Sequence, residues 1–411
     1  RFPGSSSAST FPVTRWRVPS WVPASRYSAL PNSAYSEVKI LYGVQGTGQG
    51  HISRARAMAS ALKKYPVEVQ WLFSGRSREK LFDMEPFGQY HYRTGLSFAT
   101  SNGQIRYLKT LQQLHPLQFL RDIRELDVAS YDLVVTDFEP VTAWAGRRAG
   151  VKTVGIGHQY AFGPQTPRDG RNWMAESIMR NFAPVSHPLG LHWYPYSHNV
   201  LPPILDLPDL PRERGEHVLV YLPFEDQDWV CKLLQAVPEQ RFVQYASGLE
   251  RADRDNVEQH PASIEGFKRH LASSRGVVCN SGFELISECL HWGKPVLNKP
   301  LRGQMEQMSN ALALEKLGYA RRCKALTTVG LRTWLEQDTH TRAIRFPDVA
   351  AALAAWLAGG CQGSSGQLVE SLWPSWPGAI TSMGHTCPQP GIASHPCQGP
   401  TAAPTSSLGI P

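Results

Sequence analysis

Val38-Lys-Ile-Leu-Tyr-Gly-Val44 runs directly into Gln45-Gly-Thr-Gly-Gln-Gly50-His51. The first seven residues are a short apolar run of strand type. The next six hold three glycines, which permit tight turns and close backbone approach to a ligand. Beyond His51, the residues Ile52, Ala55, Met58, Ala59 and Leu62 recur at helical spacing. Strand, glycine loop and helix make the opening unit of a nucleotide-binding α/β domain. The glycine spacing differs from the G-x-G-x-x-G of a dinucleotide site, and no acidic residue clearly closes the second strand. A glycine turn that merely starts a helix is the plainer alternative.

Working outward, 67–73 reads as the second strand and 104–126 as a long amphipathic helix interrupted at Pro116. Residues 132–137 read as a buried strand with a polar end. A helix over 142–150, closed by glycine, and a strand over 151–156 follow. Leu201-Pro-Pro-Ile-Leu-Asp-Leu-Pro-Asp-Leu-Pro211 carries four prolines in eleven residues and continues neither a helix nor a central strand. It is the best linker candidate, with an ordered surface loop as the alternative. The pattern then starts again. Strands are expected at 217–222, 241–245, 276–279 and 295–298, and helices at 226–236, 263–273, 283–291 and 304–317. Strand and helix alternate throughout, which predicts two mainly parallel α/β sheets. Ligands are then expected in the cleft at the strand C-terminal ends. The expected organisation is an arm or leader over 1–37, a first Rossmann-like domain over 38–200, a linker over 201–214, a second such domain over 215–358 and a disordered tail over 359–411. The tail expectation rests on eight prolines, one acidic residue and no Lys or Arg over 361–411.

The 411 residues suffice for two ordinary domains. No apolar run approaches the ~20 residues that span a bilayer. The net charge of +8 fits an anionic partner without choosing one. Basic residues are dispersed and no RNA- or DNA-binding motif occurs, which argues against a nucleic-acid binder. Seven cysteines without a CxxC pair read as reduced thiols in an intracellular chain. The localisation expected is cytoplasmic, with peripheral membrane contact as an option. Arg106, Lys109, Arg121 and Arg124 surround Leu108, Leu111, Leu117 and Leu120, and such a stretch can hold an acceptor with a lipid phosphate at a membrane surface. One core face and one solvated face is the plainer reading.

Two constellations carry chemistry. At the first strand–helix junction, His51 points into the cleft and can act as a base near neutral pH. Gly46, Gly48 and Gly50 shape the loop, and Arg54, one turn on, is placed to meet an anionic group. In a Rossmann-like order the fourth strand lies beside the first. Asp137 ends that strand and should therefore lie near His51, where a carboxylate fixes the ring tautomer and stabilises the imidazolium. Glu139 is a second candidate for that role, and capping of the next helix is the structural alternative for Asp137. The second constellation is Cys279-Asn-Ser-Gly-Phe-Glu-Leu-Ile-Ser-Glu288. The Asn280-Ser281-Gly282 turn opens a helix whose first N–H groups can receive a diphosphate. Glu284 and Glu288 lie four apart and are expected on one face, where a carboxylate can accept ribose hydroxyls. Gly293-Lys-Pro-Val-Leu-Asn-Lys-Pro300 and the helix carrying Gln304 and Gln307 follow, and both glutamines can bond sugar hydroxyls. Asp226-Gln-Asp228 and Asp253-Arg-Asp255 read as helix-start or surface carboxylates. No metal site and no cofactor are expected.

Residues 280–311 resemble the nucleotide-sugar-binding region of GT-B glycosyltransferases, among them the families that include the N-acetylglucosaminyltransferase of peptidoglycan synthesis. The 46–51 loop with Arg54 resembles their acceptor-side loop. The resemblance spans about 38–325. It implies a GT-B fold, with two Rossmann-like domains facing each other across a cleft. It also implies transfer from a nucleotide sugar, UDP-hexose or UDP-N-acetylhexosamine, to a hydroxyl acceptor with inversion. Metal independence follows from the reading of the Asp-x-Asp pairs, and a lipid-linked acceptor from the basic amphipathic stretch. Glu288 matches the family's ribose-binding glutamate, with Glu284 the alternative; Gln304 and Gln307 match donor-sugar contacts; His51 falls where relatives keep a base. Leu222-Pro-Phe-Glu-Asp226 departs from the glycine-rich phosphate loop that many relatives have there. A UDP-N-acetylglucosamine 2-epimerase-like enzyme and a non-catalytic nucleotide-sugar-binding protein are the competing readings.

Overall fold

A computed structural model describes residues 38–96, 100–101, 104–105, 115–170, 173–211, 213–337 and 343–373. The expected arm over 1–37 and residues 374–411 of the expected tail lie outside them. In chain order, the first half contains β1 (Val38–Gln45), α1 (Gln49–Leu62), β2 (Val67–Ser74), β3 (Tyr90–Tyr92) and a two-stranded hairpin of β4 (Thr100–Ser101) and β5 (Gln104–Ile105). There follow α2 (Pro116–Glu125), β6 (Leu133–Asp137), α3 (Pro140–Ala149), β7 (Thr153–Gly157), α4 (Trp173–Asn181), β8 (His187–Leu191) and β9 (Val200–Leu201). The second half contains β10 (Val218–Tyr221), α5 (Gln227–Gln235), β11 (Phe242–Tyr245), β12 (Ala252–Arg254), β13 (Val257–His260), α6 (Ile264–Ser273) and β14 (Gly276–Asn280). It continues through α7 (Phe283–Trp292), β15 (Val296–Lys299), α8 (Met305–Leu317), β16 (Arg321–Arg322) and α9 (Thr328–Glu336). The described chain closes with α10 (Val349–Ala358) and α11 (Ser365–Leu372).

Two seven-stranded sheets result, ordered β3-β2-β1-β6-β7-β8-β9 and β12-β13-β11-β10-β14-β15-β16. Every pairing is parallel except β12 with β13. Helices cover both faces of such sheets, so their central strands are buried on both sides. β6, β7 and β14 are buried at every residue, which is why they read as unbroken apolar runs. α1 turns Ile52, Ala55, Met58, Ala59 and Leu62 inward, all nearly inaccessible. Each fully buried Ile, Leu or Met side chain contributes about 1.5–3 kcal/mol by removal from water. Helix ends follow local chemistry. Asp226 and Ser263 accept the Trp229 and Gly266 N–H groups at the starts of α5 and α6. Gly150, Gly293 and Gly318 close α3, α7 and α8 in the left-handed conformation.

Three expectations change. Pro116 starts α2 instead of interrupting a longer helix, and 104–105 are a strand; Arg106, Leu108, Lys109 and Leu111 lie outside the described residues. A proline at the first helical position lacks only an N–H that would have had no partner. α2 buries Asp122 and Ile123 but leaves Leu117 82% and Leu120 46% exposed, so these leucines form no core face. The 201–211 stretch is partly interior, with Ile204 only 3% exposed. Pro202 and Pro203 end β9 inside the core, whereas Pro208 and Pro211 are exposed. The beginning of the expected disordered tail is ordered. Ser364 caps α11, Leu368, Val369 and Leu372 are buried, and Trp373 Nε1 donates to the Val200 carbonyl at 2.8 Å. α10 packs on α1 and α11 on β9, so the chain returns to the first half after completing the second.

Candidate active site

The site on the first half is assembled by neighbouring strands. β1 lies between β2 and β6, with Val44 opposite Asp137. The loop after β1 and the carboxylate ending β6 therefore emerge side by side. Gly46 N–H donates to the Ser74 carbonyl at 2.6 Å, and a Cβ at Gly46 would sit 2.9 Å from that oxygen. Arg76 Nη2 donates to the Thr47 carbonyl and Gln45 Nε2 to Leu96 O, so the glycine loop is anchored from both sides. Gly48 is the extended residue before α1 and offers no side-chain cap. Immediately after Asp137, Phe138 takes φ 52°, a left-handed conformation that costs a non-glycine residue of order 1–2 kcal/mol. Its ring stacks on Phe182. Such local strain clusters at functional turns.

His51 Nδ1 lies 2.8 Å from Asp137 Oδ1. Arg54 also holds that carboxylate, through Nη2 to Oδ1 at 2.7 Å and Nε to Oδ2 at 3.0 Å. Arg54 Nη2 also lies 3.0 Å from His51 Nδ1. In the tautomer whose Nδ1–H donates to Oδ1, Nε2 carries the ring's lone pair. His51 keeps 14% side-chain exposure, whereas Arg54 and Asp137 are buried. Burial would raise the Asp137 pKa. The Arg54 charge first, then His51 and the hydrogen bonds from both, reverse this and hold the carboxyl below its ordinary value. Arg54 is not free for a ligand anion, as the sequence had suggested, because its Nη1 also meets Glu284 of α7 from the second half. Gly50 is the residue that makes room for Glu284, since a Cβ there would lie 2.1 Å from Oε2. Glu139 is excluded from orienting His51. It is fully buried as the cap of α3, accepting from Val141 N, Thr142 N, Thr142 Oγ1 and Ser74 Oγ.

On the second half, the turn between β14 and α7 is built as expected. Ser281 Oγ donates to Asn298 Oδ1 at 2.7 Å and Asn280 Nδ2 to the Lys299 carbonyl at 3.0 Å. Gly282 precedes α7 with open space where a Cβ would stand and no side-chain cap. Two buried acceptors here, Asn280 Oδ1 and Gln304 Oε1, have no protein partner. The two glutamates do not share one environment. Glu284, in the first turn, projects past the helix end to Arg54. Glu288, one turn deeper, is 4% exposed and ion-paired with Lys268 of α6. Burial raises the Glu288 pKa, with Lys268 opposing. Gln307 is also turned inward, its Oε1 accepting from Leu301 N at 3.0 Å. The acidity of 222–226 is locally neutralised: Glu225 pairs with Lys299 at the end of β15, and Asp226 caps α5.

Sequence reasoning missed the residues that join the halves here. His158, following β7, lies between the Leu191 carbonyl and Asn310 Oδ1, at 2.7 and 2.6 Å, and stacks on Phe283 with centroids 4.1 Å apart. Asn310 Nδ2 in turn donates to the Ser281 carbonyl. Trp193 Nε1 donates to Ser287 Oγ, and Arg322 pairs with Asp169. A lone histidine carries no spacing signal. The one available cue was position, because His158 follows β7 much as Asp137 ends β6. No helix among the described residues is long and apolar enough to cross a membrane.

Known proteins share this architecture. CalG4, the calicheamicin glycosyltransferase, superposes with a TM-score of 0.50 at 16% identity, covering 84% of this chain and 100% of its own. MurG of Acinetobacter baumannii gives 0.48 at 15% identity, with 82% and 100% coverage. An uncharacterized glycosyltransferase of Methanosarcina acetivorans is 25% identical over 369 residues, 75% of this chain and 90% of the relative. The family model described as glycosyl transferase family 1 matches residues 38–337. With its two Rossmann-like sheets, the chain belongs to glycosyl transferase family 1 and is a glycosyltransferase of GT-B fold.

Proposed function

We propose that the enzyme transfers a sugar from a UDP-linked hexose or N-acetylhexosamine to a hydroxyl acceptor by direct, inverting and metal-independent displacement. His51 Nε2 takes the acceptor proton, and Asp137 holds the ring and stabilises the imidazolium formed. Arg54 fixes Asp137 in its ionised state. Negative charge developing on the departing diphosphate is met by the uncapped start of α7. Asn280 and Gln304 supply the donor contacts through their unpartnered oxygens, and Glu284 is better placed than Glu288 to reach the ribose. Exposed Leu117 and Leu120 beside Arg121 and Arg124 favour a lipid-linked acceptor reached by peripheral membrane contact. A Pro-rich hinge near 201–214 separates the acceptor and donor domains.

The observation carrying this reading is the 2.8 Å His51–Asp137 contact at the first strand–helix junction, where the His51 side chain keeps 14% exposure. Replacing His51 by Ala and assaying transfer tests it. Near-wild-type turnover with an intact fold removes His51 from the base role. A thermal-shift screen against UDP-, GDP-, TDP- and CMP-sugars tests the donor. The true donor at about 100 times its Kd stabilises the protein by about 2.7 kcal/mol. A preference for a nucleotide other than UDP overturns the UDP assignment.

A further inference from the structure

Away from the cleft, β13 and α6 bring together three side chains to which the transfer reaction assigns no role. Glu258 and His260 are two apart on β13 and so share a face. α6 packs over that face and contributes His270. One ligand atom from each of the three lies within 4.8 Å of the others. Each side chain is also held by a second partner. Arg241 Nη2 donates to Glu258 Oε2 at 2.9 Å, leaving Oε1 for His260 Nε2 at 2.8 Å. Tyr245 OH bonds His270 Nδ1 at 2.8 Å, which leaves His270 Nε2 as the free ring atom. The Tyr245 ring stacks on His260 with 13° between planes. The cluster borders a groove of about 320 Å³ that extends to Ser263 and Gly266 at the start of α6.

We propose that Glu258, His260 and His270 form a binding site for a zinc-class divalent metal ion that fastens β13 to α6. The cation replaces the proton shared by His260 Nε2 and Glu258 Oε1 and draws in His270 Nε2. Two imidazoles and one carboxylate suit Zn²⁺ or Co²⁺, whereas Ca²⁺ and Mg²⁺ require oxygen ligands. Tyr245 fixes the orientation of His270, as the hydrogen-bond partners of metal-bound histidines generally do. Of the nearby positive charges, Arg269 is engaged by Glu265 and Arg241 by the outer oxygen of Glu258, while Arg251 also lines the groove and opposes the cation. The groove leaves a fourth position for water. β13 stands three strands from β14, about 14 Å at ~4.8 Å per strand. The ion is therefore a structural element of the second half, outside the donor turn, and the proposal stands apart from the transfer mechanism.

The test is titration of the full chain, stripped with a chelator, with Co²⁺ followed by visible absorption and with Zn²⁺ followed by calorimetry. The expected result is one saturable site per chain and a raised Tm. His260→Gln and His270→Gln abolish this binding, and Tyr245→Phe weakens it by about 10-fold or more. Circular dichroism establishes that each variant is folded. A variant that does not fold is replaced by Glu258→Gln, which keeps the side-chain volume and is expected to lose binding equally. Absence of a saturable site in the wild-type chain overturns the proposal, as does wild-type binding by the folded variants.

Discussion

The two sides of the cleft are finished to different degrees. On the first half, the three charged side chains at the strand–helix junction are all engaged: Asp137 holds His51 and Arg54, and Arg54 reaches across to Glu284, although Gln45 Oε1 nearby is buried without a partner. On the second half, the start of α7 has no side-chain cap, and Asn280 Oδ1 and Gln304 Oε1 are buried with no protein partner. A charged base must be oriented before the substrate arrives, because reorganising buried charges during the reaction is costly. A binding surface is better left incomplete, since its unmet acceptors gain their bonds only when the ligand supplies them. On the proposed mechanism, the first side is built for chemistry and the second for recognition.

The strongest way to break this contrast is His51→Ala. Loss of a general base lowers kcat by about 10²–10⁴-fold. Donor-induced thermal stabilisation should be unchanged, because the donor surface is untouched. Equal loss of donor binding would erase the distinction between the sides. Next is Asp137→Asn, which leaves Arg54 with one partner fewer in a buried setting and should cost about 3–5 kcal/mol in urea unfolding. The same residue sets an acid dependence. Its folded pKa lies below the ordinary 3.8, so its contribution is complete above that value and is lost as pH falls through the folded value. Asp137→Asn should therefore flatten the acid limb of stability against pH.

Gly50→Ala should give a smaller effect, about 1–3 kcal/mol, because the new methyl displaces Glu284. Combined with Glu284→Ala, the two costs should fall short of additive, since the clash and the ion pair involve one side chain. The smallest effects belong to Asn280→Ala and Gln304→Ala. Each loses about one hydrogen bond to the donor, 0.5–1.5 kcal/mol, and so raises donor KM about 2- to 10-fold with kcat nearly unchanged. A fall in kcat without a change in KM would place these residues with the chemistry instead.

Much of this was legible in the chain. Central parallel strands are buried on both faces, so β1, β6, β10, β14 and β15 appeared as apolar runs with glycine or proline at their ends. The strand order expected for the first sheet already places Asp137 beside His51, as observed. What escaped was of two kinds. Short or polar strands at or next to a sheet edge, such as β3, β12 and β13, have too little apolar content to produce a period. α11 has a serine cap and three buried apolar residues, but the proline-rich composition beyond it masked them. Contacts made across the cleft were the second kind. Arg54 was expected to await an anion, and one is present, but Glu284 comes from 230 positions further along the chain. Glu284 and Glu288 have the spacing of one helical face, yet the first stands at a helix end and the second above α6. Periodicity reports direction around an axis and is silent about what lies at each height along it.

The return of α10 and α11 to the first half has a mechanical consequence. The chain crosses between the halves once near 201–214 and again before α10. A body joined to another at a single point can swing in any direction. Joined at two points, it turns freely only about the line through them. An opening of this cleft would therefore be confined to one arc, which would bring His51 and the start of α7 back into the same registration on closing.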